Sequence, residues 1–234
     1  MTWSRLSRSI IGFHFERVEA FRSHHALGYT ADETSVTSLI DVAEKKGEDE
    51  YAEFLIDELS ELGESKRIAH AAVLLRCASI VEVSMRNAHL RVLRACQARG
   101  VLSEGRVNDW KKSFKRLGLK EMVRDLSLFS NENDKRVEAN QYPEWNRVND
   151  VRRLCNQFKH AGGVIKYGGG IEPSDDERAI LQLTGAELSP EGYLTYHVPY
   201  EDLAVGDYIR DLRAYCEKLI DSTEELLDGR RITA

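Results

Sequence analysis

"ESKRIAHAAVLLRCASIVEVSMRNAHLRVLRACQAR", residues 64–99, decides the fold class. It holds no glycine or proline until Gly100 and is rich in Ala, Leu, Val and Arg, all tolerant of helix. At 1.5 Å per residue such a helix spans about 50 Å. Ile68, Ala72, Leu75, Ser79, Glu82 and Arg86 share one stripe, while Val73, Cys77, Ile80, Val81 and Val83 lie elsewhere on the circumference. Apolar residues on several sides predict a central helix touched by several neighbours.

Upstream, residues 3–24 read as an amphipathic helix with Ile10, Ile11, Phe13, Val18 and Phe21 as its apolar contributors. "GYTADET" at 28–34 reads as a turn with capping residues, followed by a helix over 34–45. "KKGEDE" at 45–50 is a charged connector, and 50–62 is helical again, with a break or kink expected at Gly63. These N-terminal helices, residues 1–63, are expected to pack on a helical domain over 64–234, the two forming one structural unit.

Downstream, 101–129 reads as a helix or pair broken near Gly118, and the polar stretch 130–145 as a loop. A further helix begins near Glu144 or Trp145, after Pro143, and stops at Gly162. "GGVIKYGGGIEPSDDE" reads as loop. "RAILQL" at 178–183 and "YLTYHV" at 193–198 alternate like strands, which predicts a small β-hairpin near 178–198. A last helix runs from about 201 to 227. The expected fold is therefore mainly α, with a long central helix and one small hairpin.

The chain has 234 residues and a net charge of -6, so its overall field repels a polyanion, and any nucleic-acid contact needs a local basic patch. Its four cysteines, Cys77, Cys96, Cys155 and Cys216, form no CxxC pair and read as buried free thiols of a reducing compartment. No Cys/His spacing fits zinc, and no metal or other cofactor is expected. No run of 18 apolar residues and no signal-peptide pattern is present, so the expectation is a cytoplasmic protein without a membrane span.

The candidate chemistry lies in "VRRLCNQFKHAGG", residues 151–163. His160 follows Arg153 by seven positions, with six residues between them, which places it roughly 20° short of two helical turns. Asn149, Arg153, Asn156 and His160 thus share one polar stripe, and Val148, Val151, Cys155 and Phe158 form a separate apolar one. Arg152 points away from His160, which makes Arg153 its better partner. A guanidinium matches phosphate oxygens with a charge that does not titrate, and an imidazole moves protons near neutral pH. The same pattern also describes an ordinary solvated helix face.

"RLCNQFKHAGG" resembles the R-x(4–6)-H motif of the HEPN superfamily, α-helical nucleotide-binding and ribonuclease domains, with Arg153 and His160 at its ends. Many members place a polar residue directly after the arginine; here Leu154 stands there, and an asparagine follows only at Asn156. The resemblance implies a HEPN-like helical bundle and a homodimer in which two motif helices form one composite cleft. It implies metal-independent RNA cleavage, with Arg153, His160 and Asn156 catalytic: His160 moves the proton, Arg153 stabilises charge on phosphate and Asn156 orients one of them. The setting it implies is a toxin or phage-defence effector restrained by an antitoxin or other regulatory protein. The alternative is a catalytically silent dimerisation or ligand-sensing module.

Arg147, Arg152 and Lys159 flank the motif and are the RNA-contact candidates. A second basic run, Lys111, Lys112, Lys115, Arg116, Lys120 and Arg124, carries Trp110 and Phe114 but is interleaved with Asp109, Glu121 and Asp125, as a solvated helix face would be. Glu82 and Arg86 are spaced for an intrahelical ion pair.

Overall fold

A computed structural model describes residues 3–113, 118–186 and 194–233. The fold is mainly α, with a long central helix. Its helices are α1 (Trp3–Lys46), α2 (Asp49–Ala98), α3 (Glu104–Ser113), α4 (Leu119–Leu126), α5 (Trp145–Ala161), α6 (Asp175–Leu183) and α7 (Val205–Asp228). Short strands accompany them among the described residues: β1 (Ser130–Asn131), β2 (Val164–Tyr167), β3 (Leu194–His197) and β4 (Ile232–Thr233).

The chain forms two compact units. Unit 1 comprises Met1–Phe15, Cys77–Asn149 and Tyr208–Ala234, and unit 2 comprises Glu16–Arg76 and Asp150–Asp207. In unit 1, Leu93, Cys96, Val107, Leu126, Phe129, Tyr215 and Leu219 form a sealed core. Its closing strands β1 and β4 pair antiparallel, Ser130 with Thr233 and Asn131 with Ile232. Arg99 donates to the carbonyls of Leu227 (2.6 Å) and Gly229 (2.7 Å), satisfying acceptors that the end of α7 leaves open.

In unit 2, Leu55, Val73, Leu74, Val151, Leu154, Ile165, Leu181 and Tyr200 are buried. Strands β2 and β3 pair antiparallel, with Val164 opposite His197 and Tyr167 opposite Leu194. The expected small antiparallel sheet is present, and its second strand falls where the 193–198 alternation places it, Tyr193 lying outside the described residues. Its partner differs from the expectation. Residues 178–183 belong to α6, and β2 comes from the stretch read as loop. Ser174 explains the difference. Its hydroxyl accepts from the Glu177 backbone while the Glu177 carboxylate accepts from the Ser174 backbone, a capping box that starts a helix before the alternation can matter.

Two expected breaks are absent. Residues 24–34 stay helical within α1, and Thr30, Thr34 and Thr37 turn their hydroxyls back onto the carbonyls of Ala26, Thr30 and Glu33 rather than capping a new helix. Gly63 lies inside the continuous α2. Termination comes instead at Gly47, whose φ of 73° lets the amides of Gly47 and Glu48 close onto the carbonyls of Glu44 and Ala43.

Burial is one-sided along these helices. In α1, Ile11 and Val18 are buried, whereas Ile10, Phe13 and Phe21 are exposed. In α2, Val73, Cys77, Ile80 and Val81 are core residues, whereas Ile68 and Val83 are exposed, so α2 is not enclosed on every side. One 18-residue window of α2 reaches a mean hydropathy of 1.6, long and apolar enough to cross a bilayer, and 44% of it is buried inside the protein. All four cysteines are buried and none forms a disulfide.

Candidate functional site

Helix α5 carries the candidate stripe. It starts at Trp145, two residues after Pro143, and its apolar side buries Val148, Val151, Leu154 and Cys155. That burial fixes the rotation of the helix and turns the other side outward. Exposure rises along the stripe: Asn149 is buried, Arg153 and Asn156 are half-buried, and His160 is exposed in the last turn. Asn149 donates its amide to the Trp145 carbonyl at 3.1 Å, which occupies it inside the helix. Arg153 and His160 stand about 10 Å apart along the helix axis, so the two can flank a ligand but do not touch through the helix itself.

The exit from α5 is fixed by packing. Gly163 has a φ of 79°, and a Cβ there would lie 2.7 Å from the Tyr200 ring and 2.8 Å from the Arg67 guanidinium. Both neighbours are held: the Tyr200 hydroxyl donates to the Leu154 carbonyl at 2.8 Å, and Arg67 donates to the Gly162 carbonyl at 3.1 Å and to Glu64 at 2.7 Å. His70 Nδ1 lies 3.2 Å from the Tyr200 carbonyl oxygen. The Arg67 guanidinium, hydrogen-bonded to Glu64, holds that carboxyl below its ordinary range.

The arginines are not bare cations. Arg153 donates from Nε to Asp176 at 3.0 Å and from Nη1 to Asp150 at 3.3 Å. Arg152 donates from Nη2 to both oxygens of the same Asp176 at 3.1 Å. The helical-wheel expectation that Arg152 points elsewhere is thus only half the picture, since both arginines converge on one carboxylate of α6. Burial works to raise the Asp176 pKa, but the Arg153 hydrogen bond and the Arg152 charge outweigh it and hold the group below its ordinary value.

The flanking cations separate. Lys159 is exposed. Arg147, in unit 1, lies 3.5 Å from Asp211 and stacks over the Tyr208 ring at 4.9 Å, so its guanidinium already has an anion and an aromatic face. In the second basic run, Phe114, Lys115 and Arg116 lie outside the described residues. Trp110 packs edge-on against His89 (5.2 Å) and Phe129 (5.4 Å), which commits it to the unit 1 core rather than to stacking on bases. Glu82 and Arg86 do not pair; the Arg86 Nε is buried without a hydrogen-bond partner. Among the described residues, no three His, Cys, Asp or Glu side chains gather in metal-binding geometry.

Sequence reasoning found the stripe but missed Asp176, the residue that binds both arginines. Its only signal was the acidic first turn "SDDE" of α6. No protein-family model matches the chain, and neither does any curated protein or solved structure.

Proposed function

We propose that the chain is a HEPN-like, metal-independent endoribonuclease that works as a homodimer in the cytoplasm, a toxin or phage-defence effector held in check by a regulatory partner. The observation that carries this reading is the graded α5 stripe, with an exposed histidine at its end, a half-buried asparagine one turn below and an arginine two turns below. Exposed apolar side chains on α1 and α2, among them Phe21, Leu27, Tyr51 and Phe54, support association between copies.

In the proposed reaction the ribose 2′-hydroxyl attacks the adjacent phosphorus. The 2′-oxygen–phosphorus bond forms, the phosphorus–5′-oxygen bond breaks, His160 takes the hydroxyl proton and the leaving 5′-oxygen takes one from water. Arg153 offsets charge building on the phosphate oxygens, and Asn156 orients the reacting group. The products are a 2′,3′-cyclic phosphate and a 5′-hydroxyl. DNA lacks the attacking group and is not cut.

A second reading, the catalytically silent binding module, is favoured by one observation: Arg153 already holds two carboxylates, Asp150 and Asp176. Incubating the full chain with single-stranded RNA and a chelator separates the two. Under the nuclease reading, His160→Ala and Arg153→Ala each lower cleavage by roughly 10²–10⁴-fold, and Asn156→Ala lowers it less. Equal cutting by wild type and His160→Ala rejects His160 as the proton carrier. Binding without cutting by wild type establishes the silent module.

A further inference from the structure

Three guanidinium-to-carboxylate hydrogen bonds from two neighbouring arginines meet on Asp176. Such an arrangement is how arginines hold a phosphate: planar donors converge on two oxygens of one anion. Here the anion is supplied by the protein itself. The Asp176 side chain is 47% exposed, so its pairing is screened by solvent and weak enough to exchange. The arginine fork is not saturated either, because Arg152 Nε is buried with no acceptor among the described residues. Helix α6 is anchored independently of this contact. Ile180 and Leu181 are buried, and the Tyr196 hydroxyl donates to Thr184 at 2.7 Å, so Asp176 can release the arginines by rotating its side chain while α6 stays docked.

We propose that Asp176 is an internal competitor for the phosphate group that Arg152 and Arg153 bind, occupying the arginine fork in the free protein and yielding it to an RNA phosphodiester. This rests on the reading that the polar face of α5 takes phosphate. It adds Arg152 to the binding fork and gives the site a built-in brake. RNA engages productively only when it outcompetes a carboxylate already in place, so the apparent affinity is lowered by the fraction of time the fork is filled.

The test uses the full chain and two probes: a single-stranded RNA oligonucleotide methylated at every 2′-hydroxyl, which binds but offers no attacking group, and the same oligonucleotide unmodified. Binding is read by fluorescence anisotropy, cleavage by gel and folding by circular dichroism. Asp176→Asn is expected to bind the methylated probe about tenfold tighter than wild type, as for a fork filled about nine-tenths of the time. Asp176→Ser serves as the second variant where the asparagine disturbs α6. Asp175→Asn removes the same charge from the same turn at an exposed residue that contacts neither arginine, and it is expected to change affinity by less than about twofold. Adding Arg153→Ala to Asp176→Asn is expected to abolish the gain. No tightening in either Asp176 variant, or an equal gain from Asp175→Asn, overturns the proposal. Tighter binding with no cleavage of the unmodified RNA by any variant upholds the competitor and discards the nuclease reading.

Discussion

His89 and His160 carry the same imidazole into opposite surroundings. His89, in unit 1, is 0% exposed, with its ring against Trp110 and Phe129. Burial drives its pKa down to about 4, against a smaller opposing pull from Asp125. It is therefore neutral at pH 7 and serves as an aromatic core residue. His160, in unit 2, is exposed to solvent at the end of α5. Residue type thus says little about proton chemistry until access and solvation are known. A histidine sealed among aromatics can neither meet a substrate nor hold a proton near neutrality.

His89→Ala empties a filled core site and is expected to lower the unfolding free energy by roughly 3–4 kcal/mol, read from denaturant titration. A loss under about 1 kcal/mol would mean that the site collapses and that His89 is not a core group. Next comes pH. Unfolded, His89 titrates near 6.5, and folded, near about 4. The unfolded chain alone binds that proton between these values, so the His89 contribution is complete above pH 6.5 and fades as pH falls to 4. The fade amounts to up to about 3 kcal/mol, and His89→Leu should flatten it relative to wild type. Parallel pH curves for the two proteins would contradict the sealed histidine. The smallest effect belongs to His160. His160→Ala should leave stability within about 0.5 kcal/mol, as for an exposed substitution, so any loss of RNA cleavage in that variant reflects chemistry rather than unfolding.

Much of the fold is legible in the residues. The absence of breakers over 64–99 gives the body of α2, Pro143 and Gly162 bracket α5, and Gly118 stands extended directly before α4. The failures share a cause. Gly28 and Gly63 look like breaks because glycine lowers helix propensity by only about 1 kcal/mol, which buried neighbours such as Val36, Ala43 and Leu55 readily override. At 178–183 a two-residue alternation loses to the capping box just before it. The candidate stripe was legible because helical periodicity fixes which α5 residues align. Asp176 was not, because an ion pair between residues 23 apart in sequence leaves no periodic trace.

The glycine that ends α5 bears on how such a motif should be weighed. At Gly163, Tyr200 and Arg67 fill the space a side chain would need, whereas around Gly162 nothing lies within 4 Å. The second glycine of "HAGG" is therefore demanded by the way the chain turns from α5 into β2, whatever His160 does. A chain that exchanged His160 for an inert residue would need that glycine just as much. The tail of the motif is a signature of architecture and the histidine a signature of chemistry, and a match to one is no testimony for the other.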